Sequence, residues 1–378
     1  MMNNVLCNPY EPNYKCTGCG ACALACPLGC IHIEMNEEGF LQPAIENNRC
    51  TACGKCMKVC HMYAHDTSQN DLFENCTVYA AIAHDNELLR TVSSGGVSAV
   101  LLEYAFAHGY SVCGVVFDIS SNKCHHIIAQ NKEDLERIKT SKYMQSATLP
   151  AFSLFKKGKK YMVVGTPCQI DGLNRWAIQQ NRREDFLLID LFCKGVPSYL
   201  QWVSYLKYLE EKHGFGKLRS VQFRDKRISW HKYSFTIIDE YGKEYSETIY
   251  SDLYAQCFIK SICYMPACYP CTFRHHESAA DLRLADFWGA TYYDHEKGVS
   301  MVITFTDAGE KMLTQIHDKL WIERCDPKLV KESQRFDIIP MFEERNAFLE
   351  ALKTGIPLDK AYQDFRIDQI SLRTLRRG

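Results

Sequence analysis

CTGCGACALAC at residues 16–26 and CTACGKCMKVC at residues 50–60 are two copies of one pattern, and their reading decides the amino-terminal fold. Cys16, Cys19, Cys22 and Cys26 recur 34 positions later as Cys50, Cys53, Cys56 and Cys60. Thr17 and Gly20 recur as Thr51 and Gly54, so the internal repeat extends to small residues that let backbone amides approach a metal centre. Three thiolates on one tight loop can cap three corners of an iron–sulfur cubane. The fourth corner faces away and needs a distant cysteine.

The C-x2-C-x2-C-x3-C spacing is similar to that of bacterial ferredoxins, in which the fourth cysteine crosses to the other cluster. That rule implies two [4Fe-4S] clusters, one on Cys16, Cys19, Cys22 and Cys60 and one on Cys50, Cys53, Cys56 and Cys26. Structural zinc usually takes two C-x2-C knuckles instead, and disulfides need an oxidising compartment. One departure touches the local turn and the potential of one cluster: Pro27 follows the first run, but His61 follows the second. Between the runs, Ile31 to Glu34 alternates like a strand, Glu37-Glu38-Gly39 turns and Phe40-Leu41 returns, which predicts a small hairpin.

The chain has 378 residues, a length for two or three domains. A formal net charge of −1 gives no electrostatic case for nucleic acid or for a membrane surface. Residues 1–15 lack the basic start and apolar stretch of a signal peptide, and nowhere do apolar residues run long enough to span a bilayer. A soluble cytoplasmic protein is the expectation. Twenty cysteines without an export signal argue for reduced, metal-committed thiols, the habit of an oxygen-avoiding cell.

Residues 61–76 are polar and read as a linker; Cys7, Cys30 and Cys76 fall outside the pattern and read as ordinary thiols. From about residue 77 strands alternate with helices. Strands are expected at 78–83, 112–117, 161–164, 186–192, up to Trp288-Gly289 in DLRLADFWG, and at 301–305. Helices are expected at 97–107, 132–139, 151–157 and 307–320, the last with Asp307 as an acidic cap. The fold class is an α+β ferredoxin-like double-cubane domain, then an α/β domain with a mainly parallel sheet covered on both faces, then a mixed α/β carboxyl-terminal part.

Cys168 and Cys193 each follow an expected strand, at the carboxyl edge of the sheet where crevices form. Singly, each reads as a small buried residue. Together with Cys268 and Cys271 in the proline-rimmed loop CYMPACYPC, they make a third metal site the better reading, with Cys263 as a reserve ligand. The site is either a third [4Fe-4S] cluster or a single zinc on the same four sulfurs.

Ser93, Ser94, Gly95 and Gly96 precede a helix and offer hydroxyls, amides and the positive end of the helix dipole to a phosphate; an ordinary helix cap explains them equally. Lys142 and Tyr143 could approach a phosphate and a ring, or serve as a solvated lysine and a core tyrosine. Arg224, Asp225, Lys226, Trp230, His231 and Lys232 read as a surface strand edge, with His231 a weak candidate proton donor. Neither His125-His126 nor His275-His276 suits a shared ion, because adjacent strand residues face opposite ways.

SSGGVSAVLLEYAFAHGYSVCGVVFD, SKYMQS, GTPCQIDGL, DLFCKGVPS, FRDK, PACYPCTF and LADFWG, in that order, resemble the family of coenzyme F420 hydrogenase/dehydrogenase beta subunits. The likeness covers roughly residues 77–350, and many bacterial members carry an amino-terminal ferredoxin module. It implies a domain plan of 1–66 (ferredoxin), 77–160 and 161–350 (the amino- and carboxyl-terminal-type regions of that family) and a tail at 351–378. It also implies FAD, with Ser93, Ser94, Gly95, Gly96, Lys142 and Tyr143 as its expected neighbours. The implied function is an iron–sulfur flavoprotein oxidoreductase passing electrons between clusters, FAD and a small molecule or a partner redox protein. A ferredoxin-type or deazaflavin donor or acceptor is implied, some relatives are associated with polysaccharide synthesis, and an oligomer is compatible. The alternative is a non-catalytic electron-transfer subunit that feeds a partner enzyme. No catalytic residue is named.

Overall fold

The computed structural model describes residues 15–63, 76–274, 278–334 and 338–370. Cys7, nearly all of the expected linker, His275-His276 and the last eight residues lie outside them. Helix α1 (Ala21–Ala25), the antiparallel hairpin β1 (Ile31–Met35) and β2 (Leu41–Ile45), and helix α2 (Lys55–Lys58) form the amino-terminal unit. Gly20 and Gly54, paired by the repeat, are the caps of α1 and α2 and both take left-handed backbone, φ 81° and 72°, a conformation that costs glycine little.

The large domain then runs β3 (Thr77–Ala83), α3 (Asn86–Thr91), α4 (Val97–Ala107), β4 (Ser111–Asp118), β5 (Lys123–Ile128), α5 (Lys132–Ile138), β6 (Ser146–Ala147), α6 (Leu149–Phe152), β7 (Tyr161–Val164), α7 (Pro167–Gln179), β8 (Phe186–Leu191) and α8 (Tyr199–His213). It continues with β9 (Leu218–Asp225), β10 (Ser234–Asp239), β11 (Glu244–Thr248), α9 (Leu253–Ile259), β12 (Leu282–Asp286), β13 (Ser300–Thr304), α10 (Asp307–Thr314), β14 (Leu320–Cys325), α11 (Lys328–Ser333), α12 (Arg345–Lys353) and α13 (Leu358–Asp364).

Nine strands form one sheet in the order β14-β3-β13-β12-β8-β7-β4-β5-β6. Its middle, β12-β8-β7-β4, is parallel. The sheet is mixed rather than mainly parallel, however: β5 is antiparallel to β4 and parallel to β6, β13 is antiparallel to β12, and β3 pairs antiparallel with both β13 and β14. Alternation along each central strand splits the core. Met162, Leu187 and Ile189 face α4, α5 and α10 through Val97, Leu101, Leu135 and Leu313. Tyr161, Val163, Phe186 and Leu188 face α6, α7 and also α1, through Phe152, Ile170, Trp176, Ala21 and Ala25. The ferredoxin-type unit therefore shares a core with one face of the large sheet.

A three-stranded antiparallel sheet, β11-β10-β9, packs with α8, α9, α12 and α13 around Trp202, Tyr205, Phe223 and Phe235. The segment expected as a tail includes α13, whose Leu358 and Ala361 are buried in that cluster.

Some boundaries differ from expectation for visible reasons. The helix expected at 151–157 starts at Leu149 and ends at Phe152; Lys156 N–H, which a longer helix would direct to Phe152 O, donates instead to Tyr161 Oη at 2.8 Å. The cap of α10 is Thr306, whose Oγ1 accepts from Gly309 N–H, and the helix stops at Thr314 ahead of buried Ile316. Strand β12 stops at Asp286, not Trp288. Arg224, Asp225 and Trp230 are buried rather than forming a surface edge: Arg224 grips Asp286 with two bonds of 2.6 and 2.9 Å, and Trp230 Nε1 donates to the same carboxylate at 2.6 Å. His231 Nε2 is spent on Tyr293 O at 2.8 Å. Among the described residues no helix is long and apolar enough to cross a membrane.

Candidate metal centres

Cys16, Cys19, Cys22 and Cys60 ring one small cavity, together with Thr17, Gly18 and His61. The loop before α1 curls its amides toward sulfur, and Gly18 N–H donates to Cys16 Sγ at 3.3 Å. Burial, and next the neighbouring sulfurs, push the Cys19 and Cys22 thiols up; burial takes Cys60 to about 11. Burial alone makes these thiols poor anions. A cationic core would reverse that balance and release their protons.

Cys56 lies within electrostatic reach of both Cys26 and Cys53, and Cys50 with Cys26 flanks Cys30. Cys53 is exposed. Burial opposes ionisation of Cys26, but the Cys30 backbone N–H, the Cys30 thiol and the amides of Leu28 and Gly29 outweigh it and bring the thiol down. Cys30, expected as an ordinary thiol outside the pattern, has its Sγ 3.4 Å from Cys26 Sγ.

The third set comes from three places. Strands β7 and β8 are parallel neighbours, and the turns after their carboxyl ends carry Cys168 and Cys193. Cys168 sits in the first turn of α7, after Pro167, with its Sγ 3.3 Å from Thr166 Oγ1; Thr166 N–H is held by Gln169 Oε1 at 3.1 Å. Cys268 and Cys271 arrive on a tight loop tied to the first two, since Met265 N–H donates to Val196 O at 3.0 Å. All four line one cavity with Thr17, Gln169, Phe273 and Arg274. Burial pushes all three of Cys168, Cys193 and Cys268 up, Cys193 to about 11. Cys263 is elsewhere: it is buried and its thiol donates to Gln201 Oε1 at 2.8 Å. Among the described residues no three His, Cys, Asp or Glu side chains converge closely enough to hold a single ion; the thiols surround cavities.

Arg274 carried no signal in the sequence, yet it joins the two ligand loops. Its Nη2 donates to Cys268 O at 2.6 Å and Lys194 O at 2.8 Å, and its charge lowers Cys193 against burial. Beneath it, Arg283 and Asp190, neither exposed at all, form two bonds of 2.7 Å between β12 and β8.

The first and third cavities are neighbours. Thr17 lines both, Cys19 Sγ packs on Gly172 of α7, and His61, in the turn where the first run has Pro27, meets Phe273 edge-on at 5.4 Å. The amino-terminal unit is fixed there by Gln145, which bonds both Leu41 N–H and Leu41 O, by Thr148 on Cys19 O, and by Ser198 on Glu38 O.

The six residues expected around a flavin all have employment within the fold. Ser93 Oγ accepts from Ser141 N–H, Ser94 Oγ donates to Val299 O, and Lys142 Nζ caps the last turn of α5 at Ile138 O. A Cβ on Gly95 would strike Ala81 O, and Gly96 caps α4. Tyr143 stacks on Phe258 at 4.6 Å. Ser93 Oγ accepts from both Ser141 N–H and Ser141 Oγ, at 3.1 and 2.9 Å, so its own O–H is not used in either bond. His125 and His126 face opposite sides of β5, and only His126 is buried.

Comparison with known proteins agrees with this architecture. Residues 158–328 match the family defined by the carboxyl terminus of the coenzyme F420 hydrogenase/dehydrogenase beta subunit, and residues 15–64 match the 4Fe-4S dicluster domain. The F subunit of F(420)H(2) dehydrogenase from Methanosarcina mazei is 24% identical over 193 residues, which cover 47% of this chain and 53% of that protein. The chain thus spans about half the length of that curated relative. The F420-reducing [NiFe] hydrogenase complex from Methanosarcina barkeri contains a chain aligned at a TM-score of 0.46 and 17% identity, over 76% of this chain and 91% of that one. A dicluster domain implies two [4Fe-4S] clusters, and residues 158–328 carry the carboxyl-terminal region characteristic of coenzyme F420 hydrogenase/dehydrogenase beta subunits.

Proposed function

We propose that this chain is an electron-transfer subunit of an oxidoreductase complex, carrying three [4Fe-4S] clusters in series. The ligands are Cys50, Cys53, Cys56 and Cys26 at the outer end, Cys16, Cys19, Cys22 and Cys60 in the middle, and Cys168, Cys193, Cys268 and Cys271 at the inner end. The observation that carries this reading is the shared wall: Thr17 borders both the middle and the inner cavity, and Cys19 rests on the helix whose first turn holds Cys168.

When bound, the clusters supply one-electron chemistry. The chain's residues do the rest. Cys22 is buried and Cys19 and Cys168 are half-buried, which limits water at sulfur, and amides such as Gly18 N–H stabilise thiolate sulfur. Arg274 holds the two inner ligand loops together beside a positive charge. A cubane and a single zinc on Cys168, Cys193, Cys268 and Cys271 are told apart by the metal analysis that follows.

FAD is proposed from the family likeness alone. Ser94 Oγ and the Lys142 ammonium donate within the fold and Ser93 Oγ accepts from Ser141; no step is routed through FAD. The deazaflavin that the relatives' names mention is one proposed donor or acceptor, and a partner redox protein is the other. The association with polysaccharide synthesis has no counterpart in the site's geometry.

Anaerobic purification with iron, sulfide, zinc and flavin analysis on one sample tests this. About twelve irons per chain is the expected result, on the basis of four per cubane. Zinc with about eight irons would remove the inner cluster. Turnover of a small-molecule acceptor by the isolated chain would favour a complete reductase over an electron-transfer component.

A further inference from the structure

The outer site needs four thiolates and has five within reach. Cys30 is 2% exposed, its Sγ lies 3.4 Å from Cys26 Sγ, and it also meets Cys50. The approach is built by the backbone. Gly29 N–H donates to Cys26 O at 3.2 Å with Gly29 at φ 58°, so the chain reverses after Cys26 and returns residue 30 to the sulfur. Glu46 N–H then fixes Cys30 O at 2.9 Å, where β1 begins.

Cys30 packs with Cys22 and Ile31, a place that a small apolar side chain could also fill. The repeat places Ala64 at the corresponding position of the second run, 34 residues later. A small apolar side chain is enough for the motif there, as it is for many buried cysteines.

We infer that Cys30 is a reserve ligand of the outer cluster, able to replace Cys26. The inference rests on the two-cubane reading of residues 16–60. The exchange is a substitution without electron transfer: the iron bond to Cys26 sulfur breaks, the iron bond to Cys30 sulfur forms, and the Cys30 proton passes to Cys26. The repeat supplies no counterpart for the middle cluster, since its crossing ligand Cys60 is followed by Ala64 at that spacing.

The test compares four variants of the full chain, made and assayed anaerobically for iron, sulfide and reduced-state EPR. Cys53→Ala is expected to lose the outer cluster, about four irons per chain, and Cys60→Ala the middle one. Cys26→Ala is expected to keep wild-type iron, with a shifted EPR signal from the outer cluster. Cys26→Ala/Cys30→Ala is expected to fall to the level of Cys53→Ala. Loss of about four irons in Cys26→Ala alone would overturn the reserve ligand. If Cys53→Ala loses no iron, the two-cubane reading fails instead. Should Cys26→Ala not be recovered folded, Cys26→Ser with and without Cys30→Ala gives the same ordering: equal iron in the two would overturn the proposal.

Discussion

Gly172→Ala is the sharpest perturbation of the contact between the amino-terminal unit and the large domain. Gly172 lies inside α7 with ordinary helical backbone, so alanine should stabilise the helix by roughly 0.5–1 kcal/mol. The added Cβ, however, would sit 2.9 Å from Ala21 Cβ and 3.0 Å from Cys19 Sγ. Neither neighbour is the free end of a flexible side chain: Ala21 opens α1, and Cys19 is a proposed ligand. Overpacking of this kind costs about 1–3 kcal/mol, so the clash wins and the variant should be less stable by up to about 2 kcal/mol. Gly172→Val adds two methyls and should cost more. The assay is an anaerobic thermal scan at fixed rate, with EPR of the reduced middle cluster on the same samples. We expect a midpoint lowered by a few degrees, greater for Val, and an altered signal from the cluster that includes Cys19. A Gly172→Ala protein that melts higher, with an unchanged signal, would refute the close packing and with it the series arrangement of the middle and inner clusters.

Cys168→Ser should remove about four of about twelve irons while the clusters of residues 16–60 remain, as read by iron analysis against the wild type. Arg274→Leu should lower the reduction potential of the inner cluster, because a cation beside thiolates favours the more negative reduced state; anaerobic potentiometry reads it, and an unmoved potential would reduce Arg274 to a loop tie. Arg283→Met leaves Asp190 buried without its partner and should destabilise the chain by about 3–5 kcal/mol, whereas Arg283→Met/Asp190→Leu should recover part of that loss in the same thermal scan. His126 is fully buried, and neither ring nitrogen has a well-formed hydrogen bond. Burial, only partly offset by the backbone of Ala147 and Val164, pushes it down to about 4. The unfolded chain therefore binds the extra proton first: the stabilising effect of neutral His126 is complete above about pH 6.5 and is lost as pH falls toward 4. His126→Gln should flatten that part of the stability profile, measured as unfolding midpoints between pH 7 and pH 5.

What the sequence makes legible depends on how local the cause is. The two cysteine runs carry their own geometry, because three ligands on one loop and a fixed repeat leave few arrangements, and the hairpin between them is set by alternation and a Glu-Glu-Gly turn. The parallel centre of the sheet is also visible, as apolar strands separated by helices. The antiparallel additions are not: Ser300–Thr304 and Leu320–Cys325 read as strands or not on their own, but nothing local says they will flank Thr77–Ala83, more than 200 residues earlier. That choice is made by the edges left open once the centre has formed.

The same distinction governs the candidate sites. Cys168 and Cys193 are separated by 25 residues and Cys268 by 75 more, yet each ends in the same crevice because β7 and β8 are parallel neighbours and Val196 pairs with Met265. Spacing can nominate such residues only singly; the sheet assembles them. Cys30 fails the opposite way. It lies outside the four-cysteine pattern, so pattern matching sets it aside, although a three-residue turn is all that separates it from Cys26. Arg224 and Trp230 mislead for a third reason, since a charge-rich stretch reads as solvated until its carboxylate, Asp286, arrives from 62 residues away. Burial of a charged side chain is a property of its partner, and the partner here is nonlocal. The consequence for this chain is specific: the ligands nominated by spacing can be tested one at a time, but those that depend on the sheet, Cys168, Cys193, Cys268 and Cys271, stand or fall together with Arg274 and the Asp190–Arg283 pair beneath them.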